Sequence, residues 1–236
     1  MKDIVKAIEK EKEYLEYRKK GQEPYHLVDA IKELRFESLE EYFKAKKEYN
    51  LKSLDFEVIE ESPLRAIAEI LNIIKQQKTV VLFVPTPFTF VWTGNNSILN
   101  EEYCVRYGIP ILPIQTGGGT IVSTKGDLSI GICVPKKIDY TANYILEGLA
   151  NIFRKYTNKK VEVDGNDILI DGYKVLGSST YNDNKMLMFV TLVSFSEKSE
   201  LINNICLKKS SKVAGYIDFM DAETLKSEVC EWLQIK

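Results

Sequence analysis

The amino-acid sequence predicts an α+β protein: a mixed, mainly antiparallel sheet packed with helices, preceded by a helical N-terminal extension. Three observations predict it. Charge density falls near residue 60, which divides the chain into an extension, residues 1–60, and a domain, residues 61–236. From Thr79 to Phe195 the chain passes through short β-branched and aromatic segments punctuated by glycine turns, the pattern of strands. Stretches with apolar residues at three- and four-residue spacing lie between and around those strands, and such an order assembles as α+β.

Close to half of residues 1–60 are charged, and their apolar positions recur at helical spacing: Ile4, Ile8 and Leu15, then Leu27, Ile31 and Leu34, then Leu39 and Phe43. This spacing predicts two or three short helices with a break near Gly21-Gln22-Glu23-Pro24. Ser38-Leu39-Glu40-Glu41 has the form of a capping box. Pro63 suits a first helical turn, and Ile67, Ile70, Leu71 and Ile74 stripe the helix that follows. Thr79 to Val84 reads as a buried strand, and Phe88 to Trp92 resumes the extended pattern after two prolines. Ile98 to Arg106 reads as a short helix. Ile111 to Ile114 and Thr120 to Ser123 are strands on either side of a glycine run, and Thr124-Lys125-Gly126-Asp127 predicts a hairpin-like turn into a strand over Leu128 to Val134. A helix over Tyr140 to Tyr156 follows. Short strands at Val161–Val163, Ile168–Ile170 and Tyr173–Leu176 are joined by Asp164-Gly165-Asn166 and Asp171-Gly172 turns. Lys185 to Phe195 is a further strand, and helices at Glu197–Cys206 and Ala222–Ile235 flank a short strand at Val213–Ile217.

Composition narrows the function classes. A net charge of −2 provides no global positive field for nucleic acid or an anionic membrane. The N-terminus turns polar at once, and no apolar run is long enough to span a bilayer. The expectation is a soluble cytoplasmic protein whose four cysteines, none in a Cys-x-x-Cys pair, stay reduced. His26 is the only histidine, which speaks against a His-rich zinc site and against a Ser-His-Asp triad. Any chemistry must therefore run on lysine, carboxylates, hydroxyls and backbone.

Two motifs carry that chemistry. Thr116-Gly117-Gly118-Gly119-Thr120 places three glycines beside β-branched residues, where a ligand can approach the backbone and freed N–H groups can meet an anion. Some fifty residues on, Gly172-Tyr173-Lys174-Val175-Leu176-Gly177-Ser178 sets a lysine between two glycines. Gly126-Asp127-Leu128 and Asn166-Asp167-Ile168 fall between them. In this order the motifs resemble the catalytic domain of the lipoate- and biotin-protein ligase family, the lipoate ligase branch above all, over roughly residues 60–236. Thr191-Leu192 falls where that family has a Thr-Leu pair. The resemblance implies a biotin/lipoate ligase-like fold and an enzyme that activates lipoate or a similar acid with ATP and Mg2+ as an acyl-adenylate. The acyl group would pass to a lysine of a lipoyl- or biotinyl-type carrier protein. It also implies roles. Lys174 would stabilise the charge that develops when carboxylate meets phosphate. Thr116, Gly117, Gly118, Gly119, Thr120, Gly177 and Ser178 would line the acyl-adenylate site. Asn166, Asp167, Gly126 and Asp127 would hold the nucleotide, with Asp167 on the metal.

The chain departs from the family pattern at several positions. Pro113 and Ile114 stand where two arginines precede the glycines, Ser123-Thr124 replaces a His-Asp pair, and Phe189-Val190 replaces His-Gly. Arg106, Lys125 and Lys185 are candidate replacement cations. Two other readings stay open beside the ligase: an acyltransferase with a cysteine nucleophile, Cys133 being nearest in strand order, and a non-catalytic binding protein on the same scaffold. Residues 1–60 would dock a partner or mediate self-association.

Overall fold

The computed structural model describes residues 2–22, 25–94, 98–113, 119–136, 142–183, 185–208 and 211–235. The chain divides into two compact units, Met1–Leu54 and Asp55–Lys236. The first consists of helices α1 (Ile4–Lys19), α2 (Leu27–Glu33) and α3 (Leu39–Lys52). Asp3 caps α1 by accepting the Lys6 N–H, and the Ser38 hydroxyl accepts the Glu41 N–H at 3.1 Å to cap α3. The Glu41 carboxylate reaches back to the N–H of Glu37 at 2.7 Å, one residue beyond the partner a capping box uses. Ala7, Ile8, Ile31, Phe36 and Tyr42 form this unit's own core. The buried Glu11 carboxylate accepts the Tyr42 hydroxyl at 2.6 Å and pairs with Lys46.

The second unit opens on β1 (Glu57–Glu60), which lies parallel to β2 (Val80–Pro85) across helix α4 (Pro63–Gln76). β1 falls within the extension that composition assigns to residues 1–60. Its ladder to β2 ties it to the second unit, so the division falls at Leu54 and Asp55. The remaining elements are β3 (Phe90–Thr93), α5 (Glu101–Arg106), β4 (Ile111–Pro113), β5 (Ile121–Ser123), β6 (Leu128–Pro135), α6 (Ala142–Tyr156), β7 (Val161–Asp164), β8 (Asp167–Ile170), β9 (Tyr173–Asn182), β10 (Met186–Val193), α7 (Ser199–Ile205) and α8 (Ala222–Trp232). Seven strands form one sheet in the order β1-β2-β6-β10-β9-β8-β7, and β4-β3-β5 form a second. Only β1/β2 and β3/β4 pair in parallel among the described strands. The fold is α+β with a mainly antiparallel sheet.

The continuous apolar runs of β2 and β6 are buried on both faces, as such runs require. Val80, Leu82 and Val84 pack with Met186 and Met188 under Ala66 and Ile73 of α4, and Phe90 and Trp92 of the small sheet close the same cluster. On α6, Gly148 lies against the indole of Trp232, where a Cβ would come within 2.0 Å of the ring. Gly148→Ala is therefore expected to cost about 1–3 kcal/mol through overpacking. The drop should appear in the midpoint of chemical denaturation.

Two local expectations differ from the structure. The Thr124–Asp127 turn is tight, with Asp127 N–H donating to Thr124 C=O at 2.9 Å, but its two strands do not pair with each other. β5 pairs with β3 and β6 pairs with β2 and β10, so the turn carries the chain from one sheet to the other. The segment expected as a strand at 213–217 makes only a parallel bridge between Lys174 and Ala214. It is pinned by Lys174 N–H to Val213 C=O at 2.9 Å, Gly215 N–H to Lys174 C=O at 2.8 Å, and Ile217 N–H to Ser194 C=O at 2.9 Å. Among the described residues, no helix is long and apolar enough to cross a membrane.

Candidate functional site

The site is built around the hairpins β7–β8 and β8–β9. Gly165, at φ 63°, opens the two-residue connection between β7 and β8. Asp171 and Gly172, at φ 51° and 84°, turn β8 into β9 with the positive φ pair that a primed turn needs. A register shift between Ile168 and Leu169 leaves Val175 as an extra residue in β9. Lys174 and Gly177 are three residues apart, so a regular strand would put them on opposite faces. The bulge restores them to one face, and the buried pair Val175 and Leu176 between them marks the switch.

Lys174 consequently folds across Gly177. A Cβ on Gly177 would meet Lys174 Cε at 2.9 Å and Nζ at 3.0 Å. The ammonium pairs with Asp167 Oδ1 at 2.8 Å, and Lys212 pairs with Asp167 Oδ2 at 2.7 Å. Thr191 holds the frame from β10, its hydroxyl donating to the Gly177 carbonyl at 2.8 Å.

A cavity of about 310 Å³ opens in front of Lys174. Thr120, Lys174 and Gly177 line it, together with Lys198, Lys208 and Lys212. A smaller apolar cavity of about 50 Å³ lies between α4 and the sheets, and Ile121 and Leu192 line both. Apart from the Trp92 indole, the only polar side chains on its described wall are the hydroxyls of Ser129 and Thr191. Val190, at a position where the family pattern has glycine, also lines it.

The sequence candidates fall into three groups. Thr116, Gly117 and Gly118 lie outside the described residues. Among the described residues other than its chain neighbours, no atom lies within 4 Å of where a Cβ on Gly119 would stand. Gly126, Asp127, Asn166 and Ser178 are not among the lining residues. Ser178 donates both its N–H and its hydroxyl to the Asn166 carbonyl at 2.8 Å, which ties β9 to the β7–β8 turn. Asp127 is fully buried: it accepts the Thr124 N–H at 2.8 Å, the Thr124 hydroxyl at 3.0 Å and the Phe195 N–H at 3.0 Å, and pairs with the buried Lys198. Gly126 and Asp127, expected beside a nucleotide, do not line this cavity; Asp127 instead holds Lys198, which does. Burial pushes the Lys198 ammonium below its ordinary value, and Asp127 draws it part of the way back.

Among the described residues, no group of three or more His, Cys, Asp and Glu side chains could hold a metal. Asp167 does not fit the magnesium role expected for it, because both its oxygens carry lysine ammonium groups. Arg106, Lys125 and Lys185 do not line the cavity, and Arg106 is paired with Glu102 on an exposed face. The lysines that line the cavity besides Lys174 are Lys198, just before α7, and Lys208 and Lys212 of the segment after α7, whose stretch from Lys208 to Ile217 resembles the end of the family's domain. Cys133 is buried in β6 and its thiol is pushed up to about 12 by burial and then by Asp183, so it makes a poor nucleophile. The cysteine on the cavity wall is Cys206, at the end of α7.

A family model for the lipoyl protein ligase A/B catalytic domain matches residues 63–223. Among solved structures, a bi-partite lipoate protein ligase from Thermoplasma acidophilum, described with its E2 lipoyl domain, superposes with a TM-score of 0.63 at 15% identity, covering 78% of this chain and 85% of that one. P. falciparum LipL1 in complex with lipoate gives a TM-score of 0.65 at 12% identity over 76% of this chain and 59% of that one. A lipoate-protein ligase A bound with ATP gives 0.61 at 12% identity, over 77% and 85%. At these identities the likeness is one of fold. No curated protein sequence matches the chain.

Proposed function

The chain belongs to the lipoyl protein ligase A/B catalytic domain family, and from that premise we propose that it activates a carboxylic acid with ATP and transfers the acyl group to a carrier protein lysine. The observation that carries this reading is a pair of neighbouring cavities that share Ile121 and Leu192 in their linings, an apolar slot and a chamber lined by Lys174, Lys198, Lys208 and Lys212. The two linings match the two halves of a molecule with an aliphatic tail and an anionic head, as an acyl-adenylate has. Lys174 supplies a fixed cation where carboxylate and phosphate are brought together, and such preorganised charge is worth most in a partly desolvated site. The lipoate, ATP and E2 lipoyl domain named for the structural neighbours support lipoate or a medium-chain acid, ATP and a lipoyl domain as the partners here. Four free thiols fit a reducing cytoplasm.

The slot also discriminates. The ureido ring of biotin would find few partners there, since the Thr191 hydroxyl is already committed to Gly177. Each buried polar group left unpaired costs about 1–3 kcal/mol. Lipoate and octanoate are therefore expected to outperform biotin by about tenfold or more.

The test is exchange of labelled pyrophosphate into ATP with lipoate, octanoate or biotin. Acid-dependent exchange that falls by about a hundredfold or more in Lys174→Ala supports the reading. Equal background exchange in both proteins across the panel sinks it.

Cys206, in the lining of the same cavity as Lys174, favours a second reading, acyl transfer through a thioester with no ATP. Burial, followed by the neighbouring Cys104, pushes its thiol upward and weighs against a resident thiolate, so the ligase reading stands first. An acyl-sized mass increase on Cys206 after incubation with an acyl-carrier donor would reverse that order.

A further inference from the structure

Lys174 and Lys212 share one carboxylate but are not equivalent donors. The Lys212 ammonium is held by Asp167 Oδ2 at 2.7 Å, Asp164 Oδ2 at 3.0 Å and the Asp164 carbonyl at 2.9 Å. Burial opposes its charge, but the bonds to Asp167 and Asp164 outweigh that and raise its pKa. Lys174 has one ion-pair partner among the described residues, Asp167 Oδ1, and its side chain is 36% exposed on the cavity. Among the described residues, its ammonium has no other hydrogen-bond acceptor.

Alone, Asp167 would compete with any ligand anion for Lys174, because a 14% exposed carboxylate needs a counter-charge. Lys212 meets that need from the opposite oxygen and, as a like charge, loosens Lys174 from the shared carboxylate. We propose that Lys212 is a positioning residue: by holding Asp167, it frees the Lys174 ammonium to meet the anionic group of an acyl-adenylate-like ligand. The ligand class rests on the ligase reading above; the effect of Lys212 on Lys174 does not.

The test uses the full chain and four variants: Lys212→Met, Lys212→Arg, Asp167→Asn and the double variant Asp167→Asn/Lys212→Met. A short pulse of acetic anhydride, read by peptide mass spectrometry, reports the reactivity of Lys174. Calorimetry reports binding of a non-hydrolysable octanoyl-sulfamoyl adenosine. Lys212→Met is expected to slow labelling of Lys174 about threefold and weaken binding about tenfold, because Asp167 then holds Lys174 alone. Lys212→Arg should stay near wild type. The double variant should label at least as fast as wild type and recover most of the binding, since the competing carboxylate charge is gone. Unchanged Lys174 labelling in Lys212→Met overturns the proposal. So does a loss that the double variant fails to recover, which would give Lys212 a purely structural role. A wild-type protein that binds no mimic counts against the ligase reading, while the labelling arm still decides the role of Lys212.

Discussion

Replacing Asp127 by alanine is expected to destabilise the Asp55–Lys236 unit by about 3–5 kcal/mol, the usual cost of removing one partner of a buried ion pair. Asp127 is 1% exposed and Lys198 6%. The carboxylate also accepts two backbone N–H groups, those of Thr124 and Phe195, which alanine would leave without it. The ammonium of Lys198 would then sit uncompensated in a place where burial already disfavours its charge. Both tryptophans, Trp92 and Trp232, lie in this unit, so urea denaturation followed by tryptophan fluorescence reports it alone. Asp127→Asn/Lys198→Met removes both charges and keeps a polar acceptor, so it should lie much closer to wild type than Asp127→Ala does. A loss below about 1 kcal/mol in Asp127→Ala would mean that water enters and replaces the carboxylate.

What was legible in the sequence follows from how local each signal is. β2 and β6 announce themselves because strands buried on both faces must be apolar throughout. The β8–β9 turn is legible because Asp171-Gly172 is among the few dipeptides that adopt two positive φ angles cheaply. β1 is hidden: Glu57 and Glu60 bracket only two apolar residues, and what makes the segment a strand is the parallel ladder to β2. The Thr124–Asp127 turn shows the same limit. Its chemistry fixes a local reversal, but the choice of partner strands is tertiary and sends β5 and β6 to different sheets.

The site divides in the same way. The Gly-x-Lys-x-x-Gly spacing marks Lys174 and Gly177 through the family resemblance, while the bulge at Val175 that brings them onto one face has no spacing signature of its own. Lys212 is one basic residue among Lys208, Lys209 and Lys212, and only the bridge at Ala214 brings its stretch of chain alongside β9.

Gly177→Ala is expected to leave the fold nearly intact and to remove about a hundredfold or more of acid-dependent pyrophosphate exchange. The added methyl would stand 2.9 Å from Lys174 Cε, 3.0 Å from Nζ and 3.5 Å from Asp167 Oδ1. These are the tips of side chains rather than backbone, so the conflict is relieved by moving the ammonium, and stability should change by no more than about 1 kcal/mol. Moving the ammonium by about 1 Å costs about two orders of magnitude when its work depends on position. Lys174→Ala removes the charge outright and should lose at least as much. Lys174→Arg keeps the charge, but its larger planar head does not fit the same place over Gly177, so it should rescue little. Steady-state kinetics and a denaturation curve on the same preparations separate the two effects. Wild-type exchange in Gly177→Ala would show that the ammonium acts from somewhere other than its seat on Gly177.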